Sequence, residues 1–244
     1  MITIHTMAYN EEKLLPHFVR HYRRHFPQAM FVVYDNESTD GTRKICDELG
    51  LQVSTHATHG LVSDSALTAL KNNCWKSAPT DWVLVCDIDE WLGISSAELA
   101  AEAALGTTII RSEAWDMVAM HDADPVDEIT RGVRSPIYDK WVLFDHSKIS
   151  ESNYDPGAHN MGPVGTVRVS DTCYKLFHMR HLGVRHTLAR IQYTHARLSP
   201  ENRAQGWGTQ YFDVPEEASV VANYATLRQQ AVEVRPHSNA RATG

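Results

Sequence analysis

Apolar runs and amphipathic stretches take turns along the first hundred residues. "MITIHTMA" is a short apolar-rich run and predicts a first strand. "NEEKLLPHFVRHYRRHF" follows with a stripe through Phe18, Tyr22 and Phe26, one face of a helix, with Asn10 as its expected cap. Pro16 suits a first helical turn better than an interior, so the regular helix is expected to begin near it. "AMFVVYD" is unbroken apolar sequence, the pattern of a strand covered on both faces. "DGTRKICDELG" predicts a short helix ended by Gly50, and "LQVSTH" a third strand. "DSALTALKNNCWKSA" carries Leu67, Leu70, Cys74 and Ala78 at helical spacing, capped by Ser63 or Asp64. "DWVLVCD" is a fourth strand, and "SSAELAAEAAL" opens with a capping box, Ser95 and Glu98. Strand and helix alternating at this rhythm predict an α/β fold with an open, mostly parallel sheet and helices on both faces.

The pattern loosens beyond residue 106. "TTIIRSEAWDMVAM" and "KWVLFD" read as strands, and 121–136 and 150–165 as long loops rich in Asp, Pro and Gly. "EEASVVANYATLRQQAV" puts Val220, Tyr224, Leu227 and Ala231 on one helical face, and 235–244 reads as a frayed tail. No linker or repeat interrupts the chain, so residues 1–234 are expected to form one domain. Residues 1–105 and 106–234 would be its two halves, the first regular and the second looser.

Composition excludes several classes. A chain of 244 residues with 43% hydrophobic and 22% charged residues can bury a large core without staples. A net charge of −7 disfavours a nucleic-acid partner. Cys46, Cys74, Cys86 and Cys173 are widely spaced and read as reduced thiols. No apolar run is long enough to span a bilayer, and the first residues lack the basic start of a secretory signal, so a cytoplasmic location is expected. The histidines lack the cysteine pair or H-E-x-x-H pattern of a zinc site.

In open α/β sheets, ligands bind outside the carboxyl ends of the strands. That rule gathers "MAYNEE", "DNESTDGT", "THGLVSD" and "DIDEWL" at one rim. The last of these ends a buried strand with Asp87, Asp89 and Glu90. Several like charges in one small, dry space need a cation. Asp87 and Asp89, two apart in an extended chain, would point the same way toward one hard divalent ion, and Glu90 elsewhere. Replacing Asp89 by Asn would then relieve a like-charge contact and leave the fold intact or steadier.

"MAYNEEKLLPHFVRHY", "YDNESTDGT" and "CDIDEWL", in this order over residues 1–92, resemble the motifs of family 2 glycosyltransferases with the GT-A fold. The Asp-Glu-aromatic ending resembles a bacterial branch of family-2-like transferases. The resemblance implies transfer of a sugar from a nucleotide-diphosphate sugar to an acceptor hydroxyl, with inversion, in surface polysaccharide or glycan synthesis, residues 1–105 being the nucleotide-sugar-binding half and 106–234 the acceptor half. It implies Mn²⁺ or Mg²⁺ as cofactor, held by Asp87, Asp89 and, from the downstream "LFHMRHLG", His178. Asp35, at the end of the second strand, would read the base or ribose, Asp40 would cap the turn that follows, and Ala8 and Tyr9 would line the base. Asp64 is a further nucleotide candidate, and Asp87 would also face the ribose. The usual sequence context of the catalytic base is missing. Asp155 and His159 in "NYDPGAHNMG" are the chosen candidates, beside Glu113, Asp116 and Glu90. Arg197 or Arg203 would clamp phosphate. A nucleotidyltransferase, or a non-catalytic nucleotide- or sugar-binding module of the same fold, stays open. The two acids of "MAYNEE" argue against the former and the D-x-D acids against the latter.

Overall fold

The computed structural model describes residues 1–235. The expected alternation is present: β1 (Ile2–Ala8), α1 (Leu15–His25), β2 (Met30–Asp35), α2 (Thr42–Glu48), β3 (Gln52–Thr55), α3 (Asp64–Asn73), β4 (Trp82–Asp87), β5 (Glu90–Leu92) and α4 (Ser96–Ala104). The later part holds β6 (Ile109–Val118), β7 (Arg131–Arg134), β8 (Leu143–Asp145), β9 (Ile149–Glu151), β10 (Val164–Gly165) and β11 (Val169–His181). It continues with α5 (Val184–Arg197), α6 (Pro200–Gln205), α7 (Glu217–Gln230) and β12 (Val232–Glu233).

One sheet runs in the order β12-β7-β6-β8-β4-β1-β2-β3, with β11 added beside β6 and β5 beside β11. β3, β2, β1 and β4 are parallel neighbours, whereas β8 inserts antiparallel between β4 and β6. The sheet is therefore mixed rather than purely parallel. β4 shows why its apolar run is unbroken. Leu84 and Cys86 face one core with Phe18 and Tyr22 of α1, while Val83 and Val85 face another with Trp75 and Phe144. Both faces are covered, so period-two alternation in polarity vanishes. Burial of such side chains contributes about 1.5–3 kcal/mol each.

Local signals behave as physical chemistry dictates, with exceptions. The capping box Ser95–Glu98 forms, Gly50 takes positive φ after α2, and Ser63 rather than Asp64 caps α3. Asn10 does not cap α1. The helix begins at Leu15 with Pro16 in its first turn. Asn10 has φ 54°, a left-handed conformation that asparagine tolerates. Its Oδ1 accepts from the backbone of Thr39 and Asp40 instead. Arg235, expected in the tail, is buried over the rings of Trp91 and Phe177. Residues 236–244 lie outside the described residues.

Candidate functional site

Two loops at the rim are stitched together by the residues that made them recognisable. Glu12 Oε2 accepts from the Gly41 amide, Glu11 N donates to Thr42 Oγ1, and Asp40 Oδ1 caps Thr42. Opposite them, the segment after β3 is clamped to the end of α5: Val62 N donates to Arg197 O and Ser199 N to Val62 O. Between these walls lies a cavity of about 270 Å³, lined by Ala8, Tyr9, Glu11, Asn36, Asp87, Asp89, Arg190, Tyr193, Arg197 and Tyr211 among others. A second cavity, of about 480 Å³, shares Asp87, Asp89, Arg190 and Tyr211 with the first. It adds Asp64, Lys71, Glu90, Tyr138, Lys140, His159, His178, Arg180 and Trp207.

Asp87 and Asp89 thus stand where the cavities join, but they do not share one partner. β4 ends at Asp87, and the chain turns tightly into β5. Asp87 binds Lys71 Nζ at 2.9 Å, with Lys140 Nζ at 3.8 Å. Asp89 binds Arg190 at 2.8 Å and faces His178 Nε2 at 3.4 Å. Glu90 folds back under the turn. It accepts from the Asp87 amide and binds Lys140 Nζ at 2.6 Å, in full burial. Burial alone would raise both aspartates. Lys71 and Lys140 hold Asp87 below the usual carboxylate range, and Arg190 with His178 hold Asp89 below it. Burial would lower His178, but Asp89 and Asp116 outweigh it and hold the imidazole at about 9. Glu11, partly buried in the first cavity, is pushed up to about 7 by desolvation.

The carboxylates therefore meet protein cations, which the sequence reading did not anticipate. Signals were present. Lys71 lies four residues after Leu67 and three before Cys74, on the apolar stripe of α3, and it is the one helix residue there that is buried. A buried lysine needs an acid. Arg190, Tyr193, Thr194 and Arg197 repeat at helical spacing on one face of α5. Lys140 carries no pattern that marks it.

The donors fit a divalent ion in kind. Asp89 and His178 are adjacent, and His178 Nδ1 donates to Asp116 at 2.6 Å. A carboxylate on the far ring nitrogen is the usual support of a metal-binding histidine. The set is not gathered, however. Among the described residues no three His, Cys, Asp or Glu are spaced to hold an ion, because Asp87 is turned onto its lysines.

The other expected residues divide. Ala8 and Tyr9 line the first cavity, and Asp64 and His159 the second. Asp35 lines neither. It is fully buried, accepts from the Ser38 amide and binds Arg43 Nε at 2.6 Å. Asp155 also lines neither, because its carboxylate accepts from the backbone and side chain of Asn160. Glu113 is engaged by Trp115 Nε1. Arg197 reaches the first cavity, stacked on the Tyr9 ring, with Nε on Gly60 O and a buried Nη2 that has no partner. Arg203 donates to His195 O and lines neither cavity.

Among solved structures the chain is similar to a fragment of S. aureus TarS, residues 1–349, at 15% identity, covering 80% of this chain and 64% of that one with a TM-score of 0.46. The same fragment in complex with UDP-GlcNAc is similar at 14% identity over 92% of this chain and 71% of that one, TM-score 0.46. Glucosyl-3-phosphoglycerate synthase from Mycobacterium tuberculosis, in complex with Mn²⁺, UDP and glucosyl-3-phosphoglycerate, is similar at 19% identity over 47% of this chain and 44% of that one, TM-score 0.32. The chain thus spans 64% of the first structure's length. No curated protein matches it. No helix among the described residues is long and apolar enough to cross a membrane. Residues 3–106, which run from β1 through α4 and contain Asp87 and Asp89, match the model of Glycosyl transferase family 2.

Proposed function

We propose that the protein transfers a sugar from a nucleoside diphosphate sugar to an acceptor hydroxyl, with the nucleotide in the first cavity and the acceptor in the second. The observation that carries this reading is the junction of the two cavities at Asp87, Asp89 and Arg190, on the carboxyl rim of the parallel strands. The Arg197 guanidinium, with an unmet buried donor, suits a diphosphate oxygen. Arg190, already at the junction, is placed to meet charge that develops on the leaving diphosphate.

His159 is the base in this proposal. Its Nδ1 faces the carbonyl of Ile137 at 2.9 Å, so Nδ1 carries the proton and Nε2 the lone pair. Burial lowers its pKa, which keeps the ring neutral and able to accept a proton. As the acceptor oxygen attacks the anomeric carbon, its proton passes to Nε2 and the nucleoside diphosphate departs. Asp155 positions the loop that presents His159 and does not itself react. A divalent ion would be held by Asp89 and His178, oriented by Asp116, and would supply charge neutralisation for the diphosphate. The surface glycan role and the inverting outcome belong to this same proposal.

Thermal shift with UDP and GDP, with and without Mn²⁺, tests it. A ligand that binds only the folded state raises stability by RT ln(1 + [L]/Kd). At least one nucleoside diphosphate should raise the melting temperature, more so with Mn²⁺. No shift with either nucleotide would refute the reading.

A further inference from the structure

Four lysine and arginine side chains line the second cavity: Lys71, Lys140, Arg180 and Arg190. Three have carboxylate partners, on Asp87, Glu90 and Asp89 respectively. Arg180 has none among the described residues. Asp116, the acid nearest in charge effect, is bound to His178. The guanidinium uses one N–H on Tyr138 Oη, and its Cζ lies 5.4 Å over the Tyr138 ring. A guanidinium has five donors, so most of its fork is unspent. His181 lines the same cavity, and its buried Nδ1 also lacks a partner. Trp207 and Gly208 line the cavity as well.

A partly buried guanidinium with no carboxylate in direct contact gains from one that arrives with a ligand. The planar fork matches a carboxylate or phosphate, two N–H groups to two oxygens. The position also fits an acceptor. Both Arg180 and His159 approach the Tyr138 ring, at 5.4 and 5.2 Å from its centroid. An oxyanion on Arg180 and a hydroxyl at His159 would therefore share one tyrosine as neighbour. Building on the transferase reading above, we propose that the acceptor is anionic and that Arg180 holds its carboxylate or phosphate in the second cavity.

The test uses the full chain and its Arg180→Gln and Arg180→Lys variants. Glucuronate, glucose 6-phosphate and glucose are titrated separately by calorimetry, with UDP and GDP in parallel. The wild type should bind at least one anionic sugar, and glucose about tenfold or more weakly. The stronger of the two anions names carboxylate or phosphate as the source. Arg180→Gln should weaken that binding about tenfold or more, and Arg180→Lys, which keeps charge but loses the fork, by less. Equal binding of glucose, no binding of either anion, or anion binding unchanged in Arg180→Gln overturns the proposal. Nucleotide binding without anion binding would sink this inference and leave the transferase reading intact. Anion binding through Arg180 without nucleotide binding would do the reverse.

Discussion

The Arg190 guanidinium lies 2.8 Å from the carboxylate of Asp89. One residue belongs to α5, beyond the segment that matches a family model. The other ends the strand-and-turn motif inside it. The pair closes the later part of the chain onto the carboxyl rim of the parallel strands and neutralises an acid that is only 5% exposed. Removing one partner of a buried pair leaves an uncompensated charge. Arg190→Gln should lower stability by about 3 kcal/mol, the low end for such pairs because the arginine is partly exposed. Mn²⁺ should restore more of the loss in this variant than it adds to the wild type, because the vacancy is a missing positive charge. Equal Mn²⁺ effects on the two melting temperatures would count against that competition.

Asp89→Asn reverses an expectation drawn from sequence. Like-charge relief would leave the variant as stable as the wild type or more so. The structure pairs Asp89 with Arg190 and with His178 at 3.4 Å, so the substitution strands cations rather than separating anions. The metal-free variant should melt below the wild type. A melting temperature that is equal or higher would mean that the two aspartates repel each other more than their partners attract.

Arg197→Met should weaken nucleoside diphosphate binding about tenfold or more. The change removes a guanidinium in the first cavity whose Nη2 has no internal partner. Arg203→Met, which frees the His195 carbonyl and removes a cation from over the Phe212 ring, should leave that affinity within about twofold. Calorimetric titration of both variants with UDP and GDP decides. Equal losses at the two positions would show that Arg197 is not a phosphate contact.

The first hundred residues were legible because local chemistry and tertiary placement agree there. The apolar strands, the Ser95–Glu98 box and Pro16 all say the same thing at each scale. Asn10 does not cap α1, and Asp35 meets the Ser38 amide and Arg43, for one reason. Polar residues at a rim serve loop-locking as readily as ligands, and only geometry shows which backbone amides they meet. The cations opposite the acids were hidden because ion pairing is non-local. Lys140 lies far along the chain from Glu90 and sits in no periodic pattern. α5 does carry an aliphatic stripe, Val184, Leu188 and Ile191, but it is short and the positions between are charged or polar, so the helix is weakly marked.

Several histidines are buried neutral, and this sets the acid limit. Burial lowers His5, His181 and His186 to about 4 and His21 to about 3. In the unfolded chain they titrate near 6.5. Between those values the unfolded state binds more protons, so stability rises with pH. Glu11, held at about 7, opposes this over its own window, as one group against four. His178, held at about 9, contributes fully below about 6.5 and loses that contribution as pH rises through 9. Melting in metal-free buffer should therefore improve from pH 4 to 6.5 and decline toward pH 9. A flat profile across the acid side would contradict the neutral burial of these rings.

The most direct test of the central claim is nucleoside diphosphate release from a panel of UDP- and GDP-sugars, in Mn²⁺, by the wild type and Asp89→Asn at a temperature where both are folded. The wild type should consume at least one donor. Asp89→Asn should do so about 10²–10³-fold more slowly, corresponding to about 3–4 kcal/mol of lost transition-state stabilisation. Failure to consume any donor, or equal turnover by the folded variant, would contradict the assignment of a transfer site to the junction of the two cavities.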